Sequence, residues 1–272
     1  MMINILISTI DAGIGKIEKV LLRPRPDLKY IVSHQVTGER YRPVPEDLQR
    51  EDVVVGQIAG RGLSRNRNNA IALADGDIAL LADDDVRYRP EYITALLEAF
   101  RADPDVDVGC FRIATPDGEG EYKDYTAHAF LLNEESHHFI SSMELAFRLA
   151  PIKSRGITFD PRFGAGSELV SHGEEAVFIH DCIRAGLKVK YIPAYVVEHP
   201  ANSTIKAMPP YAAERNIFKG AYDARRYGWL AYPAAFFGAL RLWPELKKAG
   251  TGPARYMRER LRGASYIYRQ KS

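Results

Sequence analysis

Short apolar runs alternate with amphipathic stretches through the first part of the chain. The runs are rich in β-branched residues and predict buried strands at Ile3–Ile7, Tyr30–Val32, Val53–Val55 and Ile78–Leu81. Helical spacing between and after them predicts helices over Ile14–Leu22, Ser64–Ala74 and Pro90–Arg101. Strands that alternate with helices indicate an α/β fold, with a mostly parallel central sheet and helices on both faces.

Carboxylates follow the predicted strand Ile78–Leu81, and parallel sheets bind their ligands at the carboxyl ends of strands. Asp83, Asp84 and Asp85 stand in a row there. Adjacent carboxylates repel one another and lose hydration, which is costly unless a cation shares the site. Mn²⁺ and Mg²⁺ prefer such oxygens, and a metal held here would bridge a diphosphate. The alternative is a solvent-facing turn or a helix-capping cluster.

Cationic and amide side chains surround the start of the predicted helix Ser64–Ala74. Arg65 and Arg67 are candidate phosphate ligands, because helix N-termini favour phosphate and arginine adds bidentate donors. A basic exposed turn is the alternative. The segment lacks the Gly-Lys-Ser/Thr ending of a P-loop, which excludes that motif.

A second acidic pair, Glu174 and Glu175, follows a glycine-rich segment and opens an amphipathic helix that ends near residue 185. One carboxylate held by backbone donors, beside another that faces an acceptor, suits general-base chemistry. The alternative is that both glutamates only complement the helix dipole. His199 comes directly after the predicted strand Tyr195–Val197 and is a candidate to complete a metal shell.

Taken in order, these motifs resemble those of family 2 glycosyltransferases with the GT-A fold, and in particular bacterial members that build surface polysaccharides. The resemblance covers roughly residues 3 to 205. The matching positions are Gly62, Ser64, Arg67 and Asn68, then Gly76, Asp77 and Asp83–Asp85, then Phe163, Gly164 and Gly166, and finally Gly173, Glu174, Glu175 and Phe178.

The resemblance implies an inverting transfer of sugar from a nucleotide-diphosphate donor to a hydroxyl of a glycan or a lipid-linked acceptor. A UDP-sugar is the expected donor. Thr9 is expected near the nucleobase and Asp83 near the ribose, with Asp84 beside it in the nucleotide-sugar site. Arg65 or Arg67 would stabilise the charge of the departing diphosphate.

The resemblance also assigns the chemistry of the transfer. Asp85, with His199, is expected to hold Mn²⁺ or Mg²⁺. Glu175 is the expected general base and Glu174 the carboxylate next to it. The family commonly has aspartate at the base position, and glutamate preserves the chemistry while reaching one methylene further.

One departure leaves the choice of nucleotide open. The family often carries Asp-Asp-Gly-Ser after its second strand, where an aspartate meets the nucleobase. Here Ser33, His34 and Gln35 stand in that place, so UDP, GDP and dTDP all remain candidates.

Two other functions remain open from the sequence. A sugar nucleotidyltransferase would need a glycine-rich, lysine-bearing signature near the N-terminus, of which Gly13-Ile14-Gly15-Lys16 is a faint version. A non-catalytic protein that binds carbohydrate or polyanions is the second alternative. We expect no nucleic-acid partner.

Basic and acidic residues are distributed unevenly on the two sides of residue 205. Residues 206–272 hold 14 Lys and Arg against 4 Asp and Glu, a balance of +10, whereas the remainder holds 23 against 31, a balance of −8. We therefore expect a GT-A catalytic domain over 1–205 and a basic helical extension over 206–272. Basic segments of this kind favour polyanions or an anionic membrane leaflet.

The extension contains an apolar, aromatic stretch at residues 228–240, which is too short to span a bilayer. It suits a helix lying in a membrane interface, and the alternatives are a core helix or a contact in a homodimer. The chain starts without a secretory signal pattern. Cys110 and Cys182 are too few for a disulfide framework. We expect a cytoplasmic protein, peripheral at the inner face of the membrane.

Overall fold

The computed structural model describes residues 1–134, 140–201 and 208–270. The chain divides into two compact units. The first, which we call the sheet unit, comprises Met1–Phe159 and Glu175–Asn202, and the second, the helical unit, comprises Asp160–Glu174 and Ser203–Ser272. The predicted domain boundary between residues 205 and 206 lies outside the described residues.

The sheet unit contains an eight-stranded sheet with the order β3-β2-β1-β4-β7-β5-β8-β6. Its strands are β1 (Ile3–Ile10), β2 (Leu28–Val36), β3 (Val53–Ala59), β4 (Ile78–Asp83), β5 (Val108–Ala114), β6 (Phe130–Leu131), β7 (Leu145–Arg148) and β8 (Val189–Glu198). The pairs β1–β2, β1–β4, β2–β3 and β5–β8 are parallel. The short strands β6 and β7 pair antiparallel to their neighbours. The prediction of a mostly parallel sheet is confirmed.

Helices cover both faces of this sheet, as predicted. They are α1 (Leu63–Leu73), α2 (Pro90–Ala102), α3 (Leu149–Ser154) and α4 (Glu174–Arg184). Alternate residues of β1 enter different apolar clusters: Ile5 packs in a cluster with Leu96 of α2, and Leu6 packs in a second cluster with Ile71 of α1 and Phe178 of α4. Because successive side chains of a strand point to opposite faces, the two clusters lie on opposite sides of the sheet.

The segment after β1 differs from the expectation. The sequence predicts an α-helix over Ile14–Leu22, but Asp11–Val20 forms a 3₁₀ helix. Its buried residues, Ile14, Ile17 and Val20, recur at every third position. This spacing fits three residues per turn, so the tighter helix places all three side chains on one face.

The helical unit confirms the predicted C-terminal helical part. It contains α5 (Ala213–Tyr227), α6 (Ala231–Arg241), α7 (Trp243–Lys248) and α8 (Pro253–Arg269). Helices α5 and α8 cross at glycines: a Cβ on Gly220 would lie 1.9 Å from the Arg260 carbonyl oxygen, and one on Gly263 would lie 1.9 Å from the Ile217 oxygen. Beside this crossing, the buried side chains of Asp223 and Arg260 form an ion pair. In the described parts of the chain, every helix is too short or too polar to cross a membrane.

Candidate active site

Each of the three adjacent aspartates at the end of β4 has a partner of its own. Arg67 contacts Asp83 at 3.3 Å between Nη2 and Oδ1. One oxygen of Asp84 accepts a hydrogen bond from Thr9, and the other faces Lys16. The third, Asp85, faces His199. These partners offset much of the repulsion among the three carboxylates. Asp85 is the most exposed of the three, with 58% of its side chain accessible to solvent.

Thr9 and Asp84 join the carboxyl ends of the neighbouring strands β1 and β4. The Thr9 hydroxyl donates to Asp84 Oδ2 at 2.6 Å, and Lys16 Nζ lies 3.8 Å from Asp84 Oδ1. A Cβ on Gly13 would lie 2.4 Å from both bonded oxygens of this pair, so the close approach of the 3₁₀ helix requires glycine. The segment that faintly resembles a nucleotidyltransferase signature thus has a local structural role beside Asp84.

Asp11 connects the end of β1 to the end of β2, a contact that the sequence analysis missed. Its backbone is left-handed, with φ of 49°. The Asp11 carboxylate accepts from the Thr37 amide at 2.8 Å and from the Thr37 hydroxyl at 2.7 Å, and its carbonyl oxygen contacts His34 Nε2 at 2.9 Å. Burial opposes ionisation, but the two Thr37 hydrogen bonds outweigh it and lower the pKa of Asp11. His34 is buried and also contacts Gln57 at 3.3 Å, which orients its ring at the strand end.

The two candidate phosphate ligands occupy different environments. Arg65 is exposed in the first turn of α1. Arg67 is only 2% exposed, pairs with Asp83, and lies with its guanidinium carbon 5.5 Å from the centroid of the Phe159 ring. Arg67 is therefore the buried counter-ion of Asp83 in the free protein. The assignment of either arginine to the diphosphate stays a prediction.

The side chain of Asn68, next to Arg67, holds the backbone of Phe159, the last residue of the first stretch of the sheet unit. Its side-chain oxygen accepts from the Phe159 amide at 2.7 Å, and its side-chain nitrogen donates to the Phe159 carbonyl at 2.8 Å. The Phe159 ring stacks on Phe178 of α4, with centroids 4.3 Å apart and planes 7° from parallel. Helix α1 is therefore coupled through Phe159 to the helix that carries the candidate base.

Glu174 and Glu175 form the start of α4, as the sequence predicts. Both are buried, with 5% and 6% of their surface exposed. Burying a carboxylate is costly unless other groups compensate it. Their burial therefore requires compensating groups in addition to the helix dipole, and the assignment of either glutamate to catalysis stays a prediction.

Backbone pairing brings His199 beside Asp85. Arg87 and Glu198 form an antiparallel bridge, with reciprocal amide-to-carbonyl hydrogen bonds of 2.9 and 2.8 Å, so the end of β8 runs along the segment that follows Asp85. His199 Nε2 then lies 3.7 Å from Asp85 Oδ1. The hydrogen bond between the two side chains lowers the pKa of Asp85 and raises the pKa of His199.

The Asp85–His199 pair fits a divalent cation. His199 Nδ1 lies 2.8 Å from the Pro200 carbonyl oxygen, which can only accept, so Nδ1 carries the proton. When the ring is neutral, Nε2 presents its lone pair to the side where Asp85 lies, and a cation bound there would replace the proton that otherwise joins the two groups. No cluster of three or more His, Cys, Asp or Glu side chains suited to a metal occurs among the described residues. Two protein ligands are nevertheless sufficient for Mg²⁺ or Mn²⁺ when phosphate oxygens complete the shell.

A comparison with known families matches part of the chain. Residues 46–164 match the profile described as Glycosyl transferase family 2. Over this segment, which is less than half of its length, the chain is similar to that family. The matched segment contains Arg65, Arg67 and the three aspartates at the end of β4, and it ends before Glu174, Glu175 and His199. This match supports the first of the three functions considered from the sequence, a glycosyltransferase.

Solved structures of S. aureus TarS share the fold of this chain. The crystal structure of residues 1–349 with UDP is 15% identical, with a TM-score of 0.56, over 91% of this chain and 72% of that one. The same fragment with UDP-GlcNAc is 14% identical, with a TM-score of 0.56, over 99% of this chain and 92% of that one. A comparison with curated proteins gives no match. The GT-A-like architecture predicted from the motifs is confirmed.

Proposed function

We propose that this protein is a glycosyltransferase that moves a sugar, with inversion, from a UDP-sugar to a hydroxyl of a glycan or lipid-linked acceptor in the synthesis of a surface polysaccharide. The observation that carries the proposal is the arrangement at the carboxyl end of β4, within the family 2 segment. Three aspartates lie there in a row, each with a distinct partner, and Asp85 is the most exposed of them. Such a site suits a donor that carries both a ribose and a diphosphate.

The donor assignment is supported by two features. The fold is shared with TarS structures described as complexes with UDP and with UDP-GlcNAc. In this chain, the ends of β1 and β2 are connected by hydrogen bonds from Thr37 and His34 to Asp11, which gives a fixed wall beside Thr9 for a nucleobase. Asp83, which pairs with Arg67, would accept hydrogen bonds from the ribose hydroxyls.

The transfer itself is a single displacement. The acceptor oxygen forms a bond to the anomeric carbon as the bond from that carbon to the diphosphate oxygen breaks. The acceptor proton passes to the carboxylate of Glu175, and the products are the glycoside and a nucleoside diphosphate. Attack from the face opposite the leaving group inverts the anomeric centre. Glu174, the preceding carboxylate, is assigned to positioning rather than to proton transfer.

Asp85 and His199 would hold the Mn²⁺ or Mg²⁺ ion. When bound, the ion supplies Lewis-acid stabilisation of charge on the leaving diphosphate. The chain's own contribution is to keep His199 Nε2 and an Asp85 oxygen on the same side of the strand end through the Arg87–Glu198 bridge.

The decisive test is a donor screen with the full chain, read out as release of nucleoside diphosphate. UDP-, GDP- and dTDP-sugars would each be incubated with Mn²⁺, Mg²⁺ or EDTA and a panel of soluble and lipid-linked glycans. We expect acceptor-dependent release of UDP that EDTA abolishes. Release of pyrophosphate from a nucleoside triphosphate and a sugar phosphate would contradict the proposal, as would donor binding without any acceptor-dependent release.

Glu175→Gln tests the base. It should leave donor affinity within about twofold and lower turnover by roughly 10²- to 10⁴-fold, the range for loss of a general base. Glu91→Gln, which removes an exposed glutamate from the first turn of α2, is the matched control for a helix-dipole effect and should leave turnover unchanged. Near-normal turnover in Glu175→Gln would remove this residue from the mechanism, and an equal loss in Glu174→Gln would overturn the division of roles.

Asp85→Asn tests the metal site separately from catalysis. Calorimetric titration of UDP in the presence of Mn²⁺ should show a loss of at least about tenfold in affinity, because the neutral amide is a weaker ligand than a carboxylate. Titration without metal should be much less affected. Equal Mn²⁺ enhancement of UDP affinity in the variant and the wild-type chain would place the metal elsewhere.

A further inference from the structure

Helix α6 of the helical unit buries its small residues and exposes its large apolar ones. Ala231, Ala235 and Ala239 recur at every fourth position and are all buried. A Cβ on Gly238, on the same helix, would lie 3.5 Å from the Tyr256 hydroxyl of α8. The stripe of small residues therefore lets α6 pack closely on its own unit, and the phenylalanines are left outside that packing.

The outward side of this segment is apolar and aromatic. We call it the aromatic face and define it as the large apolar residues between 227 and 243 that are at least 48% exposed: Tyr227, Trp229, Leu230, Phe236, Phe237, Leu240 and Trp243. The most exposed members are Trp229 at 69% and Phe237 at 65%. Scattered exposed apolar residues are ordinary, but a row of this size on one segment indicates an interaction surface.

Charge and composition together indicate what covers the aromatic face. The sequence from 224 to 244 contains no aspartate or glutamate. Arg241 lies at the end of α6, and Lys247 and Lys248 lie at the end of α7, and all three are exposed. Tryptophan and phenylalanine flanked by lysine and arginine are typical of a helix that lies in the headgroup region of an anionic bilayer. A protein partner or a second copy would not require basic residues of one sign around an acid-free segment.

We propose that the aromatic face inserts into the interface of an anionic lipid bilayer and holds the helical unit on the membrane surface. The alternation of buried alanines and exposed phenylalanines places α6 in the plane of the bilayer, with its alanine stripe towards the protein. Arg241, Lys247 and Lys248 would pair with lipid phosphates. This inference does not depend on the glycosyl donor or on the identity of the base.

The chain carries its own probes for this test. Its two tryptophans, Trp229 and Trp243, both belong to the aromatic face. The full chain would be mixed at low salt with vesicles of phosphatidylcholine alone and of phosphatidylcholine with phosphatidylglycerol. We expect flotation with the anionic vesicles, a blue shift of tryptophan emission, and quenching by lipids brominated near the headgroup. Raising the salt concentration should weaken binding, because screening reduces the attraction of exposed charges.

Two variants separate the apolar and electrostatic contributions. F236S/F237S should lower the vesicle partition coefficient by at least about tenfold even at low salt, because buried aromatic area is lost. Replacing Arg241, Lys247 and Lys248 with glutamine should lower partition mainly for anionic vesicles. Leu131→Ser, which changes a residue of β6 that is 57% exposed, is the matched control and should bind as the wild-type chain does.

Three results would overturn the inference. The first is the absence of flotation with anionic vesicles at low salt. The second is wild-type partition of the F236S/F237S variant with a folded helical unit, as judged by circular dichroism. The third is a stable dimer by light scattering that F236S/F237S disperses while vesicle binding is absent, which would make the aromatic face a contact between two copies.

Discussion

The coupling of Asn68 to Phe159 should control how firmly the segment that leads towards α4 is held. The Asn68 side chain makes both a donated and an accepted hydrogen bond with the Phe159 backbone, at 2.8 and 2.7 Å. The Phe159 residue is fully buried. Asn68→Ala removes both partners at once and leaves a buried amide and a buried carbonyl without their hydrogen bonds.

The size of the effect follows from these two contacts. A typical hydrogen bond contributes about 1 kcal/mol net, and a buried backbone group left unpaired adds to that cost. We therefore expect Asn68→Ala to cost about 2 to 4 kcal/mol. This corresponds to an increase of roughly 30- to 700-fold in the population of the locally open segment. The ring stacking of Phe159 on Phe178 remains, so the helix α4 should persist while its anchoring weakens.

Hydrogen exchange measured by mass spectrometry reads this effect directly, because the Phe159 amide is one of the two donors concerned. Its protection should fall by the same factor as the open population rises. Asn69→Ala is the matched control, since the Asn69 side chain bonds to Ser33 instead, at 2.8 Å. Protection of the Phe159 amide that stays within about threefold of wild type in Asn68→Ala would refute the coupling.

Two predictions concern the stability of the helical unit, measured by chemical denaturation followed by circular dichroism. Gly263→Ala should destabilise this unit by about 2 to 3 kcal/mol, because its Cβ would lie 1.9 Å from the Ile217 carbonyl oxygen, whereas Gly252→Ala, whose Cβ meets open space, should cost under about 1 kcal/mol. Burial lowers the pKa of His172 from 6.5, so the unfolded chain takes up a proton first and stability should fall as the pH drops below about 6.5. His172→Gln should flatten that part of the stability curve, and an unchanged slope would assign it to other groups.

The first half of the fold is predictable from the sequence because its strands are long apolar runs. Those that become β1 and β4 are flanked by turn residues, and the structure extends both into the site, β1 past Thr9 to Ile10 and β4 to Asp83. Strand β7 is different: four residues long and antiparallel, it has no periodicity that a sequence reading could recognise. The segment after β1 is a 3₁₀ helix where the sequence predicts an α-helix, because spacings of three and of 3.6 residues per turn are hard to distinguish over so short a stretch.

The candidate site was predictable only where its residues are neighbours in sequence. Asp83, Asp84 and Asp85 stand together and end a strand, so their common location follows from the sheet. The bond from Thr9 to Asp84 joins residues 75 positions apart, and the Asn68 contact with Phe159 spans 91 positions. Contacts of this separation depend on strand order and loop path, which spacing along the chain does not encode. The resemblance placed these residues in one site but gave no indication of which pairs would bond.

The helical unit is built from two stretches of sequence, the internal segment 160–174 and the C-terminal helices. Phe163 of the internal segment meets Phe218 of α5 edge to face, and the Arg162 guanidinium donates to the carbonyl oxygens of Ile267 and Gln270 at the end of α8. A premature stop near residue 205 would therefore remove the C-terminal helices and leave the internal segment 160–174 without its packing partners. Deleting the C-terminal helices would therefore also affect a segment encoded about forty codons upstream. A laboratory fragment that ends near residue 205 would lack packing contacts in its middle as well as at its end.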